Sequence, residues 1–172
     1  MIDCDVIKCV GCRMCEVTCA SFHFGAVSPA LSRIRVAKLE ETGIESAVLC
    51  TSCLEKPCLD CSNEALSVGD KGQICVSIQL CGGCRVCVDA CPIGAAGFHD
   101  DLPLFCDLCG GELSCVGVCP TGALSFREDY RDMSLLGFVQ PEPSAGLRRL
   151  NYVRAKGEPV RELWARGARI VT

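Results

Sequence analysis

Sixteen of the eighteen cysteines in this 172-residue chain form four groups of four. In chain order the groups are Cys9-x2-Cys12-x2-Cys15-x3-Cys19, Cys50-x2-Cys53-x4-Cys58-x2-Cys61, Cys81-x2-Cys84-x2-Cys87-x3-Cys91-Pro92 and Cys106-x2-Cys109-x5-Cys115-x3-Cys119-Pro120. Three cysteines with two residues between each and the next can each bind one iron of a cubane through their thiolates. The fourth ligand then comes from elsewhere in the chain. The first and third groups have this spacing. The pattern therefore predicts iron–sulfur clusters of the [4Fe–4S] type.

A zinc module is the alternative that the cysteines leave open, because paired C-x2-C motifs also suit tetrahedral zinc. The second group consists of two such pairs, so it is a possible zinc site. The triple spacing of the first and third groups fits a cubane better than zinc. The four residues of the possible zinc site are Cys50, Cys53, Cys58 and Cys61.

Composition and charge argue against several classes of function. The net charge of −4 and the pI near 5.2 argue against nucleic-acid binding. The first residues show neither a basic segment nor an apolar segment of a secretory leader, and there is no apolar run long enough for a membrane span. A cysteine-dense chain of this kind is expected to hold metal in a reducing compartment, the cytoplasm, rather than disulfides.

Short elements surround the cysteine groups. We expect strands at Asp5–Ile7, Ala47–Leu49 and Leu104–Phe105, and helical segments at Arg13–Ser21 and Arg85–Ala90. Hairpin strands are expected at Ala65–Val68 with Gln73–Ser77, at Ala96–Phe98 with Pro103–Phe105, and at Ala123–Arg127. The expected fold class is α+β, with short strands, short helices and cluster-binding loops.

Charge and cysteine content both change near residue 128, which predicts two parts. Residues 1–128 hold all the cysteines and a net charge of −7, whereas residues 129–172 have a net charge of +3. The second part contains several Pro and Gly residues and is expected to form an extended C-terminal docking arm. A disordered tail is the alternative. The docking role would rest on Arg and aromatic residues of the kind enriched at interfaces: Arg148, Arg149, Tyr152, Arg154, Arg161, Trp164 and Arg166.

The motifs CVGCRMCEVTC, CGGCRVCVDACPIGA and CDLCGGELSCVGVCPTGAL resemble the iron–sulfur electron-transfer subunits of molybdenum and tungsten oxidoreductases, the dimethyl-sulfoxide-reductase beta-subunit type. Within that type, CRMCEVTCASFHFGAVSPALSRIRV is most similar to the small subunits that accompany tungsten-containing aldehyde oxidoreductase-family enzymes, including class II benzoyl-CoA reductase. The resemblance covers residues 1–128. It implies two interleaved dicluster modules of the bacterial-ferredoxin kind.

In that family the first and fourth groups exchange their last cysteines, as do the second and third. The resemblance therefore implies four ligand sets, which we number as quartets. The first quartet is Cys9, Cys12, Cys15 and Cys119; the second is Cys19, Cys106, Cys109 and Cys115; the third is Cys50, Cys53, Cys58 and Cys91; the fourth is Cys61, Cys81, Cys84 and Cys87. The Cys58-x2-Cys61 interval is one residue shorter than the family pattern, which leaves three clusters as the alternative to four.

The resemblance implies a non-catalytic subunit that relays single electrons between a large tungsten or molybdenum pterin subunit and a ferredoxin-like or other redox protein. A free-standing polyferredoxin is a further alternative. No catalytic residues can be assigned from the sequence. Cys4 and Cys75 are expected to be small buried hydrophobic residues, with a ligand-swap role as the alternative. His23 and His99 are expected to be surface or hydrogen-bonded residues rather than ligands.

Overall fold

The computed structural model describes residues 1–128 and 142–167, and within them all strands are short and paired two by two. The strands are β1 (Ile2–Cys4), β2 (Arg35–Leu39), β3 (Ile44–Val48), β4 (Leu66–Val68), β5 (Ile74–Val76), β6 (Gly97–His99), β7 (Leu102–Leu104) and β8 (Leu124–Phe126). The α-helices are α1 (Met14–Phe24), α2 (Val86–Asp89), α3 (Ser114–Gly117) and α4 (Ala145–Ala165). The expected α+β class is confirmed.

Three of the antiparallel pairs are hairpins, β2–β3, β4–β5 and β6–β7. The last two agree with the predicted hairpins to within one or two residues at each end. The β2–β3 hairpin was not predicted beyond its final residues. It turns through Gly43, whose positive φ of 65° is easily adopted by glycine.

The remaining pair joins the two ends of the cysteine-rich body. Strand β1 pairs with β8, with Ile2 opposite Phe126 and Cys4 opposite Leu124. This strand lies three residues before the expected one at Asp5–Ile7, because β8 pairs with Ile2–Cys4. The chain then turns, and the carbonyl of Asp5 accepts hydrogen bonds from the amides of Lys8 and Cys9.

Helix α4 packs against β2 and β3. Its inner face buries Tyr152, Val153 and Val160, the last of which lies about two turns after the first two. A Cβ on Gly157 would lie 2.7 Å from Ile44, so the helix and the hairpin approach each other closely at this glycine. The expected arm is therefore helical and packed against the body over residues 145–165. The rest of the arm, residues 129–141 and 168–172, lies outside the described residues.

Cysteines make up much of the apolar interior. In the largest core cluster, Cys15, Cys19, Cys106 and Cys115 pack with Ile2, Ile34, Leu49, Leu108 and Leu124. We call β1, α1, α3 and β8 the first module: α1 and α3 carry cysteines of the first and fourth groups, and β1 and β8 flank those groups in the chain. We call β4 to β7 and α2 the second module: α2 carries a cysteine of the third group, and the four strands follow the second and third groups in the chain.

Candidate iron–sulfur centre

All four cysteine groups share one local backbone pattern. In each group the residue two before the third cysteine has a left-handed conformation and precedes a short helical turn. These residues are Arg13, Lys56, Arg85 and Leu113, with φ values of 62°, 40°, 64° and 51°. The third cysteine is consequently the second helical residue in every group and is buried. The four equivalent residues are Cys15, Cys58, Cys87 and Cys115. The repeat in the sequence is thus a repeat in the structure.

Glycines make the tight loops of the first and third groups possible. Gly11 and Gly83 both have positive φ, 59° and 69°, and each stands directly before the second cysteine of its group. A Cβ at Gly83 would lie 3.1 Å from the backbone oxygen of Asp101. Replacing either glycine would therefore add both steric contact and backbone strain in the loop that carries the first two cysteines of its group.

Three cavities are each lined by the four cysteines of one quartet. The first quartet lines one cavity, the second lines another, and the fourth lines a third. Cys61 lies in the last of these with Cys81, Cys84 and Cys87, so the short interval after Cys58 does not prevent it from reaching them. In the quartet that lines each cavity, three cysteines come from one group and the fourth comes from another group.

The cysteines of the third quartet are close enough to influence one another electrostatically. The pKa of the Cys58 thiol is raised to about 12, mainly by burial and in addition by the neighbouring Cys50, Cys91 and Cys53. Burial also raises the pKa of Cys50 to about 11, with Cys91 and Cys53 again nearby. The structure therefore brings the four members of this quartet together as well.

The possible zinc site of the second group is divided between two quartets. Cys50, Cys53 and Cys58 lie together, whereas Cys61 faces Cys81. Thiolates bound tetrahedrally to zinc at 2.3 Å would be about 3.8 Å apart. Within residues 1–128 and 142–167, the only three candidate ligand atoms within 4.8 Å of one another belong to His23, Asp107 and Cys109. The cysteine sulfurs are therefore more widely spaced than a zinc ion requires.

The chemistry of the donor set fits an iron–sulfur cluster. Buried thiols such as Cys15 and Cys106 have pKa values raised to about 12 by desolvation, so they are neutral at physiological pH unless a cation stabilises the thiolate. A metal centre supplies that cation, and its binding releases protons. Quartets of soft sulfur ligands that line one cavity suit iron–sulfur clusters.

Hydrogen bonds and charges surround the sulfurs. The amide of Arg33 donates to Cys19 Sγ and that of Ala95 donates to Cys91 Sγ, both at 3.3 Å. His23 Nε2 lies 3.9 Å from Cys109 Sγ and 3.4 Å from a carboxylate oxygen of Asp107. The sequence predicts that His23 is a surface or hydrogen-bonded residue. In the structure it is half-buried and hydrogen-bonded. His23 and Cys109 are 86 residues apart in the chain, so no local sequence pattern could predict that they lie side by side.

His99 is also half-buried. It lies 3.3 Å from Asp100 and stacks edge-on with Phe24.

The two cysteines outside the groups differ from each other. Cys4 is buried in the cavity of the first quartet, as expected. The expectation that Cys75 is buried was wrong: it is exposed, because in β5 the neighbouring Ile74 takes the buried side of the strand.

The predicted docking residues of the arm divide into an inner and an outer set. The buried Arg148 donates hydrogen bonds to the carbonyl oxygens of Glu142, Pro143 and Val88. Arg149 donates to the carbonyl oxygen of Gly94 at 2.7 Å, and Tyr152 is buried. The outer set is solvent-exposed and consists of Arg154, Arg161, Trp164 and Arg166.

Comparison with known proteins finds similar sequences over about half of the chain. The chain is 46% identical over 87 residues to the polyferredoxin-like subunit of an aliphatic sulfonate oxidoreductase from Pyrococcus furiosus, covering 49% of this chain and 50% of that protein. It is 38% identical over 97 residues to the electron transport protein HydN of Escherichia coli K12, covering 53% and 55%. The chain is thus similar in sequence to proteins described as polyferredoxin-like or electron transport proteins. The resemblance indicated by its motifs is thereby confirmed.

The matches of this polyferredoxin-like chain to those two relatives span about half of each relative's length. Among solved structures, it is 34% identical to a chain of the active site complex BamBC of benzoyl-coenzyme A reductase with benzoyl-CoA, covering 73% of this chain and 76% of that one with a TM-score of 0.44. No protein-family model matches the chain. Among the helices of the described residues, none is both long and apolar enough to cross a membrane.

Proposed function

We propose that this chain holds four [4Fe–4S] clusters, one on each quartet, and serves as an electron-transfer subunit of an oxidoreductase complex. The observation that carries the proposal is that three separate cavities are each lined by four cysteines drawn from two distant groups. When bound, the clusters supply one-electron carriers whose potentials depend on charge, hydrogen bonding and exposure. The relatives that are electron transport proteins support this function.

The quartets follow one another through the molecule in numerical order. Cys15 of the first quartet and Cys115 of the second pack in one core cluster, and Cys50 of the third quartet packs against that cluster. The third and fourth quartets meet in one core cluster that contains Cys58 and Cys87. The second and third quartets are therefore interior to the series.

The two end quartets are the ones with an exposed ligand. Cys12 in the first quartet and Cys84 in the fourth are exposed, whereas all four cysteines of the second quartet are buried. Exposed apolar residues stand beside these ends, Val10 and Met14 at the first and Leu80 and Val86 at the fourth. Electron donor and acceptor are therefore expected to dock at opposite ends of the series.

For the partners we propose a large tungsten or molybdenum pterin subunit at one end and a ferredoxin-like or other redox protein at the other. Support comes from the motif resemblance and from the relative that is a subunit of an aliphatic sulfonate oxidoreductase. A benzoyl-CoA reductase or aldehyde oxidoreductase complex in the cytoplasm is the specific setting that the motif resemblance implies. A free-standing polyferredoxin remains the alternative without a permanent partner.

Anaerobic purification of the chain at its native size tests the proposal. We expect about 16 iron and 16 acid-labile sulfide per chain, with an absorption that bleaches on reduction and EPR signals from reduced clusters. Three clusters would give about 12 of each. Zinc without sulfide would overturn the redox function in favour of a zinc module. A native mass equal to the chain alone would favour the free-standing protein over the complex.

A further inference from the structure

The cavity of the first quartet contains a fifth cysteine. Cys4 lines it together with Cys9, Cys12, Cys15 and Cys119, and its exposed fraction is 1%. The Cys4 and Cys9 thiols lie close enough for each to shift the pKa of the other, that of Cys4 downward and that of Cys9 upward. None of the four cysteine groups includes Cys4, so this cavity holds one more sulfur ligand than a cubane needs.

The backbone holds Cys4 at this position from several sides. Strand β1 pairs Cys4 with Leu124, close to the group that supplies Cys119. The amide of Ala47 donates to Cys4 Sγ at 3.4 Å, and Lys156 Nζ donates to the carbonyl oxygen of Cys4 at 2.5 Å. The Cys4 sulfur is therefore positioned by three separate elements of the fold.

A tight turn returns the chain from Cys4 to Cys9. The Cys9 amide donates to the carbonyl oxygen of Asp5 at 3.1 Å, and the Ile7 amide donates to the Asp5 side chain at 2.9 Å. Residues 4 and 9 thus lie at the two ends of one hydrogen-bonded turn. A small movement of this turn would exchange one sulfur for the other at the same corner of the cavity.

We propose that Cys4 is a reserve ligand of the first quartet, able to bind the cluster iron in place of Cys9. This assignment rests on the proposed function, because it concerns a cluster bound by the quartet. The exchange is a substitution of one thiolate for another at the same iron. The incoming Cys4 thiol releases one proton and the displaced Cys9 thiolate takes one up, so the charge and oxidation state of the cluster are unchanged.

The fourth quartet provides a matched control. A similar turn precedes Cys81, whose amide donates to the carbonyl oxygen of Ser77. The residue five before Cys81, in the place that corresponds to Cys4, is Val76. Cys75 is exposed and faces a different cavity from the one that Cys81 lines. The fourth quartet therefore has no fifth cysteine lining its cavity.

The experiment compares Cys9→Ala, Cys81→Ala, Cys4→Ala and the double variant Cys4→Ala/Cys9→Ala in the full chain, prepared anaerobically. We expect Cys9→Ala and Cys4→Ala to keep about 16 iron per chain and the EPR signal of the first-quartet cluster. That signal should be shifted in Cys9→Ala, because its ligand has changed. Cys81→Ala should lose between one and four iron atoms, and the double variant between one and eight, because it removes a ligand of the first module.

Iron loss in Cys9→Ala equal to that in Cys81→Ala would overturn the reserve role and leave the proposed function intact. Full iron in the double variant would also overturn it, because another group would then be the ligand. A wild-type chain without iron and sulfide would overturn both. If Cys9→Ala fails to fold, Cys9→Ser with and without Cys4→Ala makes the same comparison, and identical EPR signals in that pair would overturn the proposal.

Discussion

The first module is closed by distant parts of the chain, whereas the second is built from neighbouring parts. Cys9 and Cys119, at either end of the body, line one cavity, and β1 pairs with β8 across the same distance. The second module uses residues between Cys50 and Leu104, and its strands form two local hairpins. The second module is thus inserted within the first.

This nesting implies an order of assembly. Closing a long loop costs more chain entropy than closing a short one, and local contacts form earlier. The second module can therefore form its quartets while the first still waits for the residues around Cys119. Ligand binding in the first module must then offset the larger closure cost, which makes its stability more dependent on its cluster ligands.

The largest expected effect comes from removing a ligand in each module. Cys115→Ala removes a buried member of the second quartet, and we expect the first module to lose the iron of both its quartets, about 8 atoms. Cys84→Ala removes an exposed member of the fourth quartet and should cost at most about 4. Iron analysis, with hydrogen exchange of the β1 and β8 amides, measures the difference. Equal iron loss in the two variants would show that the modules do not differ in this dependence.

Helix α4 contacts both modules, so two of its side chains can be used to weaken each one separately. Lys156 Nζ lies 2.8 Å from Asp3 Oδ1 in the first module, and both side chains are largely buried. Lys156→Ala should lower the free energy of unfolding by about 2–3 kcal/mol, because it leaves a carboxylate with poorer compensation. Faster hydrogen exchange should be confined to β1 and β8.

Arg148→Ala is the counterpart for the second module. It removes the hydrogen bond from the Arg148 guanidinium to the carbonyl oxygen of Val88 and should cost about 2 kcal/mol. The amides that exchange faster should lie around α2 and Gly94. If both variants accelerated exchange at the same amides, the helix would stabilise the body as one unit and the two-module description would be wrong.

A smaller effect is expected on one reduction potential. Arg149 lies near the Cys91 thiol, and the charge of that thiol opposes the burial that lowers the pKa of Arg149. Arg149→Gln removes a positive charge beside the third quartet, so the reduced cluster becomes less favourable. We expect its potential to fall by on the order of 50 mV, since 59 mV is a tenfold change for one electron. Redox titration followed by EPR measures this, and the first-module potentials serve as the internal control.

The sequence was most informative where structure is local. The β4–β5 and β6–β7 hairpins were predicted from turn residues and alternation, and the four cysteine groups share the backbone pattern that their spacing indicates. Strand β1 was misplaced because its position depends on pairing with β8, more than a hundred residues away. Such pairing leaves no local pattern.

Helix α4 was also not predicted from the sequence, because its conformation depends on packing against the body of the protein. Its Pro and Gly residues predicted an extended arm, because both disfavour helix interiors. The structure places Gly157 against Ile44, where a side chain would not fit, and the buried Tyr152 and Val153 pack against the same hairpin. Tertiary contacts therefore override the local preference. The exchange of cysteines between groups was likewise implied by a family resemblance and not by spacing.

The smallest effect is expected at the outer end of α4. The ion pair between Arg166 and Glu162, at 3.3 Å, is exposed on both sides, and such i, i+4 pairs contribute about 0.3–0.5 kcal/mol. Arg166→Ala should therefore change the melting temperature by less than about 2 °C and leave hydrogen exchange in both modules unchanged. Any effect on co-purification with a partner would then reflect docking and not folding. A destabilisation as large as that of Arg148→Ala would mean that the outer end of α4 also holds the modules together, and the separation of its inner and outer residues would fail.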